Sequence, residues 1–476
     1  MSTRLAQGGR LLNKGRAMEF TFNGKRLRGF EGDTLASALL ANDQMLIGRS
    51  FKYHRPRGIV ASGGEEPNAL VGLGNTFEPN QRATTTELFN GLSCTSQNHW
   101  PSLEFDIGAV NSKLGRFLPA GFYYKMFIHP RPLWKHVYEP FIRRSAGLGK
   151  APTERDEDRY EHLYAFFDVV VIGGGVAGLQ AARSAAEAGA KVLVMEQTAH
   201  WGGRAPVDGG TVNGQPVDNF VDETLAALRD MPNVTLRNRM MGAGVYDHGY
   251  VLGYERVTDH QPSAPGPRHR LWRIRAGQII TATGAIERPL SFAGNDIPGV
   301  MLASAVRDYA VNYGVSAGDR TVVVTNNDDA YLTAITLKKL GLDVPAIIDA
   351  RSAGGGALAD EARGLGIRVE TGKGVAKVKG GKRVTGVSLC NQAGEGAEIE
   401  EIACDAVAMS GGWSPVVHLW SHCGGKLVWD TAQAHFRPDV DNAPTGAKGE
   451  AFVIAAGTAN GELSLAGALA DGHEAG

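Results

Sequence analysis

Cysteine is scarce. Four thiols stand among 476 residues, Cys94, Cys390, Cys404 and Cys423, and no two form a C-x-x-C pair. This excludes a disulfide scaffold and argues against a dithiol redox centre, which needs paired thiols. An excess of one charge is also missing: 49 basic residues face 50 acidic ones. The overall balance therefore gives no reason to expect nucleic acid or an acidic membrane as partner. No run of 18 apolar residues is free of charge or glycine, so no membrane span is expected. The N-terminus lacks the apolar stretch of a secretory signal, and a cytoplasmic location is the expectation. No H-E-x-x-H or clustered His/Cys spacing suggests a metal, and no G-x-S-x-G elbow supplies a nucleophile. His129, His136, His200 and His422 stand alone. No metal is expected, and no catalytic residue can be named.

Glycine, by contrast, is abundant: 63 of 476 residues, against a usual share of about 7%. Residues 1–17 form a basic arm with Arg4, Arg10, Lys14 and Arg16. Residues 18–99 open as a hairpin: Phe20 and Phe22 alternate with polar residues, Asn23-Gly24 supplies the turn, and Leu27 follows. Asp33-Thr34 then caps a helix through Leu35, Leu39 and Leu40. Hairpin plus helix begins a small ferredoxin-like (β-grasp) α+β domain. In such a domain the next loop would hold an iron–sulfur cluster with C-x4-C-x2-C spacing. Here that loop, 48–58, has no cysteine, so the expectation is a cysteine-free domain with no iron–sulfur cluster. Residues 100–166 are rich in rings (Trp100, Phe122, Tyr123, Tyr124, Phe127, Trp134, Tyr138, Phe141) and read as a connecting segment that packs on another domain or subunit.

From residue 167 the pattern becomes α/β. Asp168 to Ile172 reads as a buried parallel strand. A glycine turn, an alanine-rich helix and a second strand ending at Met195 follow. The pattern repeats at 321–349, and one more buried strand spans 451–457. This predicts two nested Rossmann-like dinucleotide-binding domains: one over 167–300 and 400–476, the other over 301–399.

Ile172-Gly-Gly-Gly-Val-Ala-Gly178 contains G-x-G-x-x-G between a strand and a helix, and Glu196 follows Gly178 by 18 residues. That is a dinucleotide fingerprint. Gly173 permits the tight turn, Gly175 lets the backbone approach the pyrophosphate, and Gly178 allows close helix–strand packing. The helix N-terminus favours phosphate. Glu196 accepts the adenosine ribose hydroxyls and would repel a 2′-phosphate, which favours NAD or FAD over NADP. Gly202-Gly203-Arg204 suits a loop beside the nucleotide, with Arg204 available to a phosphate. Ala282-Thr-Gly284 and Ala455-Ala-Gly457-Thr458 resemble the strand ends of two-dinucleotide flavoproteins. In those proteins an aspartate after the last glycine holds the FAD ribityl chain; Thr458 at that position fits NAD better. In the second unit the turn, Thr325-Asn-Asn-Asp-Asp329, has no glycine. Its two aspartates at a helix N-terminus would repel pyrophosphate, so this half is expected to be empty.

Several longer stretches resemble the α subunits of heterotetrameric sarcosine oxidases. They include Ser50-Phe-Lys-Tyr-His-Arg-Pro-Arg-Gly-Ile59, Glu65-Glu-Pro-Asn-Ala-Leu70, Trp100-Pro-Ser-Leu103, Ala120-Gly-Phe-Tyr-Tyr-Lys125 and Tyr138-Glu-Pro-Phe-Ile-Arg-Arg144. The resemblance runs over residues 4–476. It implies a subunit of an amine oxidoreductase that demethylates sarcosine oxidatively to glycine and hydrogen peroxide. It implies NAD in this chain, FMN at the interface with the β subunit, FAD on that partner, and γ and δ subunits besides. Amine oxidation would occur on the partner. Tetrahydrofolate would bind a C-terminal half that this sequence lacks, so a fragment is expected. The NAD residues carried over are Gly173, Gly175, Ala177, Gly178, Glu196, Gln197, Gly203, Arg204, Ala456 and Gly457, with Gly242 near the adenine. The alternatives are a stand-alone FAD/NAD-dependent oxidoreductase and a structural NAD-holding subunit of a related opine or amine dehydrogenase.

Overall fold

The computed structural model describes residues 3–74, 78–118, 121, 125, 129–146, 151–394, 396–446 and 449–476, without the side chains of 117 and 144–146. Two compact units emerge. Met1–Asp156 with Arg288–Gly412 form the first, and Glu157–Glu287 with Trp413–Gly476 the second.

The first unit opens with the expected hairpin, Asn13–Phe22 against Lys25–Glu31. Asn23 and Gly24 turn it with φ of +51° and +79°, the signs a two-residue hairpin turn requires. The pair extends into a five-stranded sheet through Ser93–Ser96, Leu70–Leu73 and Glu78–Arg82. Helix Leu35–Ala41 covers this sheet. Thr34 accepts from the Ser37 amide and Ser37 Oγ from the Thr34 amide, a reciprocal cap that satisfies two helix-end donors. Residue 4 is tied down as well. The Arg4 guanidinium reaches Asp33 Oδ2 at 2.8 Å and the Tyr313 carbonyl at 2.7 Å.

The same unit holds a five-stranded parallel sheet in the order Val300–Leu302, Ala406–Ser410, Thr321–Thr325, Ala346–Asp349, Arg368–Thr371. Helices Ala303–Tyr313, Asp329–Lys339 and Gly356–Gly364 connect its strands. Helix Ala303–Tyr313 is buried on nearly every side. Tyr309 donates to the Ala61 carbonyl at 3.0 Å, and the Leu302 amide to the Val60 carbonyl at 2.8 Å. The hairpin sheet and the parallel sheet thus share one apolar core, which runs from Phe20 to Met409.

The second unit is built on a seven-stranded sheet. Its order is Val234–Arg237, Val192–Met195, Tyr160–Ile172, His269–Thr281, Tyr250–Arg256, Met240–Tyr246, and Val453–Ala455 pairs with His269–Thr281. Tyr160–Ile172 begins eight residues before the strand read from sequence, because its first half pairs in parallel with His269–Ala276 rather than lying in a buried core. Alanines at 181, 182, 185 and 186 bury the helix Val176–Glu187 against the sheet. Helix Leu465–Ala475 packs on that same helix: a Cβ on Gly472 would lie 2.4 Å from the Ala177 carbonyl oxygen.

In the 100–166 segment, Trp100, Phe105, Ile107, Val110, Leu133, Val137 and Phe141 are exposed. Phe122, Tyr123, Tyr124 and Phe127 lie outside the described residues. No described helix is long and apolar enough to cross a membrane.

Candidate dinucleotide-binding site

In the second unit, strand Tyr160–Ile172 delivers the chain into the glycine turn and helix Val176–Glu187 receives it. Gly173 has φ +116°, and a Cβ there would meet the Ala282 carbonyl oxygen at 2.1 Å. Only glycine fits both constraints. A Cβ on Gly178 would lie 2.0 Å from the Gly173 carbonyl oxygen, so helix and turn are in direct backbone contact. Gly175 differs. A Cβ there would find only Gly203 Cα, at 3.9 Å. The space in front of Gly175, at the N-terminus of a 12-residue helix, is an open cradle of the kind a pyrophosphate needs.

Glu196 follows directly on strand Val192–Met195 and is buried. Its carboxylate accepts from the Gly174 amide (2.9 Å), the Thr198 amide (2.7 Å) and Thr198 Oγ1 (2.9 Å). Burial pushes the Glu196 carboxyl above its ordinary range, and those hydrogen bonds work against the rise. The acid thus ties the turn to the second strand and has lone pairs left for a ribose.

The structure gathers Gly173, Gly175, Ala177, Gly178, Glu196 and Gly203 around the turn. Gly175 and Gly202 form a bridge between the two glycine loops. Ala456 and Gly457 join them: a Cβ on Gly457 would meet Ala177 Cβ at 2.6 Å. Gly242 lies one step away, against Ile172 at the base of the turn. The Gln197 side chain is exposed, and its carbonyl accepts from Arg256. Arg204 is turned to Asp208 (2.8 Å) and stacks over Trp413, 5.2 Å from the ring centroid.

Sequence reasoning missed Thr198, Trp413 and Asp471. Asp471, on the last helix, accepts from the Gly457 amide at 2.6 Å and faces Asn460. Only the proximity of Thr198 to Glu196 could have been seen from spacing; the other two come from remote segments.

This arrangement defines a dinucleotide-binding oxidoreductase fold. Residues 167–441 match the family described as pyridine nucleotide-disulphide oxidoreductase, and the chain belongs to that family. It is homologous to the protein named sarcosine oxidase subunit alpha of Rhizobium meliloti (strain 1021), with 47% identity over 99% of this chain and 46% of the relative. Its namesake from Corynebacterium sp. (strain P-1) is 37% identical over 97% of this chain and 44% of the relative. The chain thus spans less than half the length of these curated relatives. Among solved structures, an L-proline dehydrogenase from P. horikoshii shares the fold, with a TM-score of 0.63 at 19% identity over 98% of this chain and 74% of that one.

One expectation is overturned. Residues 15–99 match the family described as 2Fe-2S iron-sulfur cluster binding domain, which contradicts the expectation of no iron–sulfur cluster. Nor is the domain cysteine-free, since Cys94 lies on strand Ser93–Ser96. The reading from sequence weighed thiols alone, whereas the hairpin, helix and sheet carry the family's fold. The donors present fit a cluster poorly, because four thiolates are the usual set. Cys94 is the single thiol of residues 15–99; its Sγ donates to the Thr21 carbonyl, and burial pushes it up to about 12. In the 48–58 loop, Arg49 donates to the Leu103 carbonyl at 2.6 Å, and His54 Nδ1 lies 2.6 Å from Asp106. Among the described residues, no group of three or more His, Cys, Asp or Glu could hold a metal ion.

Proposed function

We propose that this chain is the NAD-holding part of the α subunit of a heterotetrameric sarcosine oxidase. The observation that carries the reading is the open cradle at Gly175 beside a buried Glu196, in a chain 47% identical to a sarcosine oxidase α subunit across 99% of its length. Gly173, Gly175, Ala177 and Gly178 would take the pyrophosphate at the helix N-terminus. Glu196 would accept the ribose hydroxyls, and Gly203 would leave room beside them. Bound NAD offers a hydride-accepting nicotinamide. Thr458, where flavoproteins of this fold carry an aspartate, favours NAD over FAD.

On this reading FMN sits at the interface with the β subunit and FAD on that subunit, where sarcosine is demethylated to glycine with release of hydrogen peroxide. The γ and δ subunits complete the assembly. Folate chemistry is assigned to none of these residues. The test is the nucleotide released on denaturing the purified chain, separated by chromatography. NAD without flavin supports the reading. One FAD per chain would replace it with a self-contained flavoprotein oxidoreductase.

A further inference from the structure

The first unit repeats the strand–turn–helix–strand of a nucleotide fold: Thr321–Thr325, helix Asp329–Lys339 and Ala346–Asp349. The acid closing its second strand is Asp349, the counterpart of Glu196, and it is fully buried. A dinucleotide in this half would need that carboxylate for its ribose and a bare turn for its pyrophosphate.

Both are taken. Asp349 Oδ1 accepts from the Arg351 amide and from Arg351 Nε, each at 3.0 Å. Its Oδ2 accepts from Arg351 Nη2 at 2.7 Å and from the Tyr331 hydroxyl at 2.9 Å. The same Arg351 Nη2 reaches across to Asp328 Oδ1, also at 2.7 Å. Asp328 immediately precedes the helix and accepts from the Gly355 amide at 2.8 Å. Asp329 is bound to the buried Arg307 at 3.0 Å. The turn itself carries side chains where a nucleotide fold carries glycines: Asn327 Nδ2 is tied to Ser410 Oγ at 2.8 Å. The guanidinium between two carboxylates holds Asp328 below the usual carboxylate range, in accord with a fully charged pair.

We propose that Arg351 is a built-in occupant of the second dinucleotide-type cleft. It bridges Asp349 and Asp328 across the mouth, so that this unit admits no nicotinamide dinucleotide. An arginine after the acid is otherwise how such folds welcome a 2′-phosphate. Here two of the nitrogens that would grip it, Nε and Nη2, are engaged by two carboxylates. Together with the NAD site proposed above, on which only this stoichiometry rests, the chain holds one dinucleotide.

The probes are 2′,5′-ADP and NADH, titrated calorimetrically into the purified chain with its resident nucleotide in place. Glu196 would reject a 2′-phosphate, so 2′,5′-ADP reports on the first unit alone. No saturable 2′,5′-ADP binding is expected to the natural sequence. Arg351→Ser, and the double variant Asp328→Gly/Arg351→Ser, should gain a saturable NADH site, about tenfold or more tighter than any residual NADH binding by the natural sequence. Saturable 2′,5′-ADP binding by the natural sequence would overturn the proposal, and so would folded variants that gain nothing. If Arg351→Ser fails to fold, Arg351→Gln, which keeps a donor for Asp349 but removes the cation between the two carboxylates, replaces it in the NADH titration, and no gain by that folded variant would overturn the proposal. Failure of the NAD reading would show separately, as an extract without NAD.

Discussion

Gly175 and Gly178 stand three residues apart in one turn, yet the structure assigns them different jobs, and a pair of alanine substitutions separates them. A Cβ on Gly178 would sit 2.0 Å from the Gly173 carbonyl oxygen and 3.2 Å from Ala282 Cβ. Helix Val176–Glu187 must then move off the sheet. Overpacking of this kind costs about 1–3 kcal/mol, and at about 2–4 °C per kcal/mol for a unit of this size the melting point falls by roughly 2–12 °C. Gly175→Ala meets only Gly203 Cα at 3.9 Å, and its φ of −72° suits any residue. Alanine lowers unfolded-chain entropy there, which stabilises by about 0.4–1 kcal/mol, while loss of a glycine N-cap costs a similar amount. The nucleotide-free stability should therefore stay within about 1 kcal/mol of the parent, a melting-point shift of only a few degrees. The new methyl instead fills the cradle. A ligand at one hundred times its Kd stabilises by about 2.7 kcal/mol, so the parent should gain roughly 5–10 °C from NAD and Gly175→Ala should lose that gain. Differential scanning fluorimetry with and without NAD, alongside the nucleotide released on denaturation, reads both effects. If Gly175→Ala keeps its NAD and its full thermal shift, the pyrophosphate does not lie at this turn.

Glu196→Ala leaves the Gly174 and Thr198 amides without their acceptor and should cost about 1–3 kcal/mol in the nucleotide-free protein, together with a loss of NAD content; unchanged content would count against the site. Burial raises the Asp471 carboxyl above its ordinary value, so its contribution to stability is full below the unfolded pKa of about 3.9 and is lost as pH rises through the folded value. Asp471→Asn keeps an acceptor for the Gly457 amide and should flatten the fall in stability above about pH 4, measured by urea melts across pH; an identical slope would refute the assignment. Cys423 is half-buried, with its thiol pushed up to about 11. At about pH 7.5 it should hold roughly 100-fold less thiolate than a free cysteine and alkylate correspondingly slowly. Rapid labelling by iodoacetamide, followed by mass spectrometry, would contradict that environment.

What was legible in the sequence was local. Asn23-Gly24 announced the hairpin, Thr34 the helix cap and Gly173 to Gly178 the turn, because each is a short pattern whose backbone demands few other residues meet. Contacts made by remote partners were not legible. Tyr160 joins a strand only because His269 lies beside it, and Arg4 is fixed by Asp33 and the Tyr313 carbonyl. Asp471 caps Gly457 from a different helix. Nothing in the neighbourhood of any of these residues marks its partner. The domain at 15–99 shows a different limit. Counting thiols tests one ligand set, while a fold is carried by hairpin, helix and core residues such as Phe20, Leu39 and Val71, and the two need not change together.

The two nucleotide-type units carry the same lesson in opposite directions. Each brings a strand into a helix and ends its second strand on a buried acid, Glu196 in one and Asp349 in the other. Topology therefore cannot decide which of them holds a ligand. The difference lies in the groups that satisfy the acid. Glu196 is met by backbone amides and one hydroxyl, with no cation spanning it. Asp349 is met by a guanidinium that also spans to the helix start. Removing that guanidinium would leave a buried carboxylate with the Tyr331 hydroxyl and the residue-351 amide but no cation, which costs several kcal/mol unless another donor arrives. A ribose is such a donor, and so the arginine that closes the first unit is also the residue whose removal gives that unit a reason to bind.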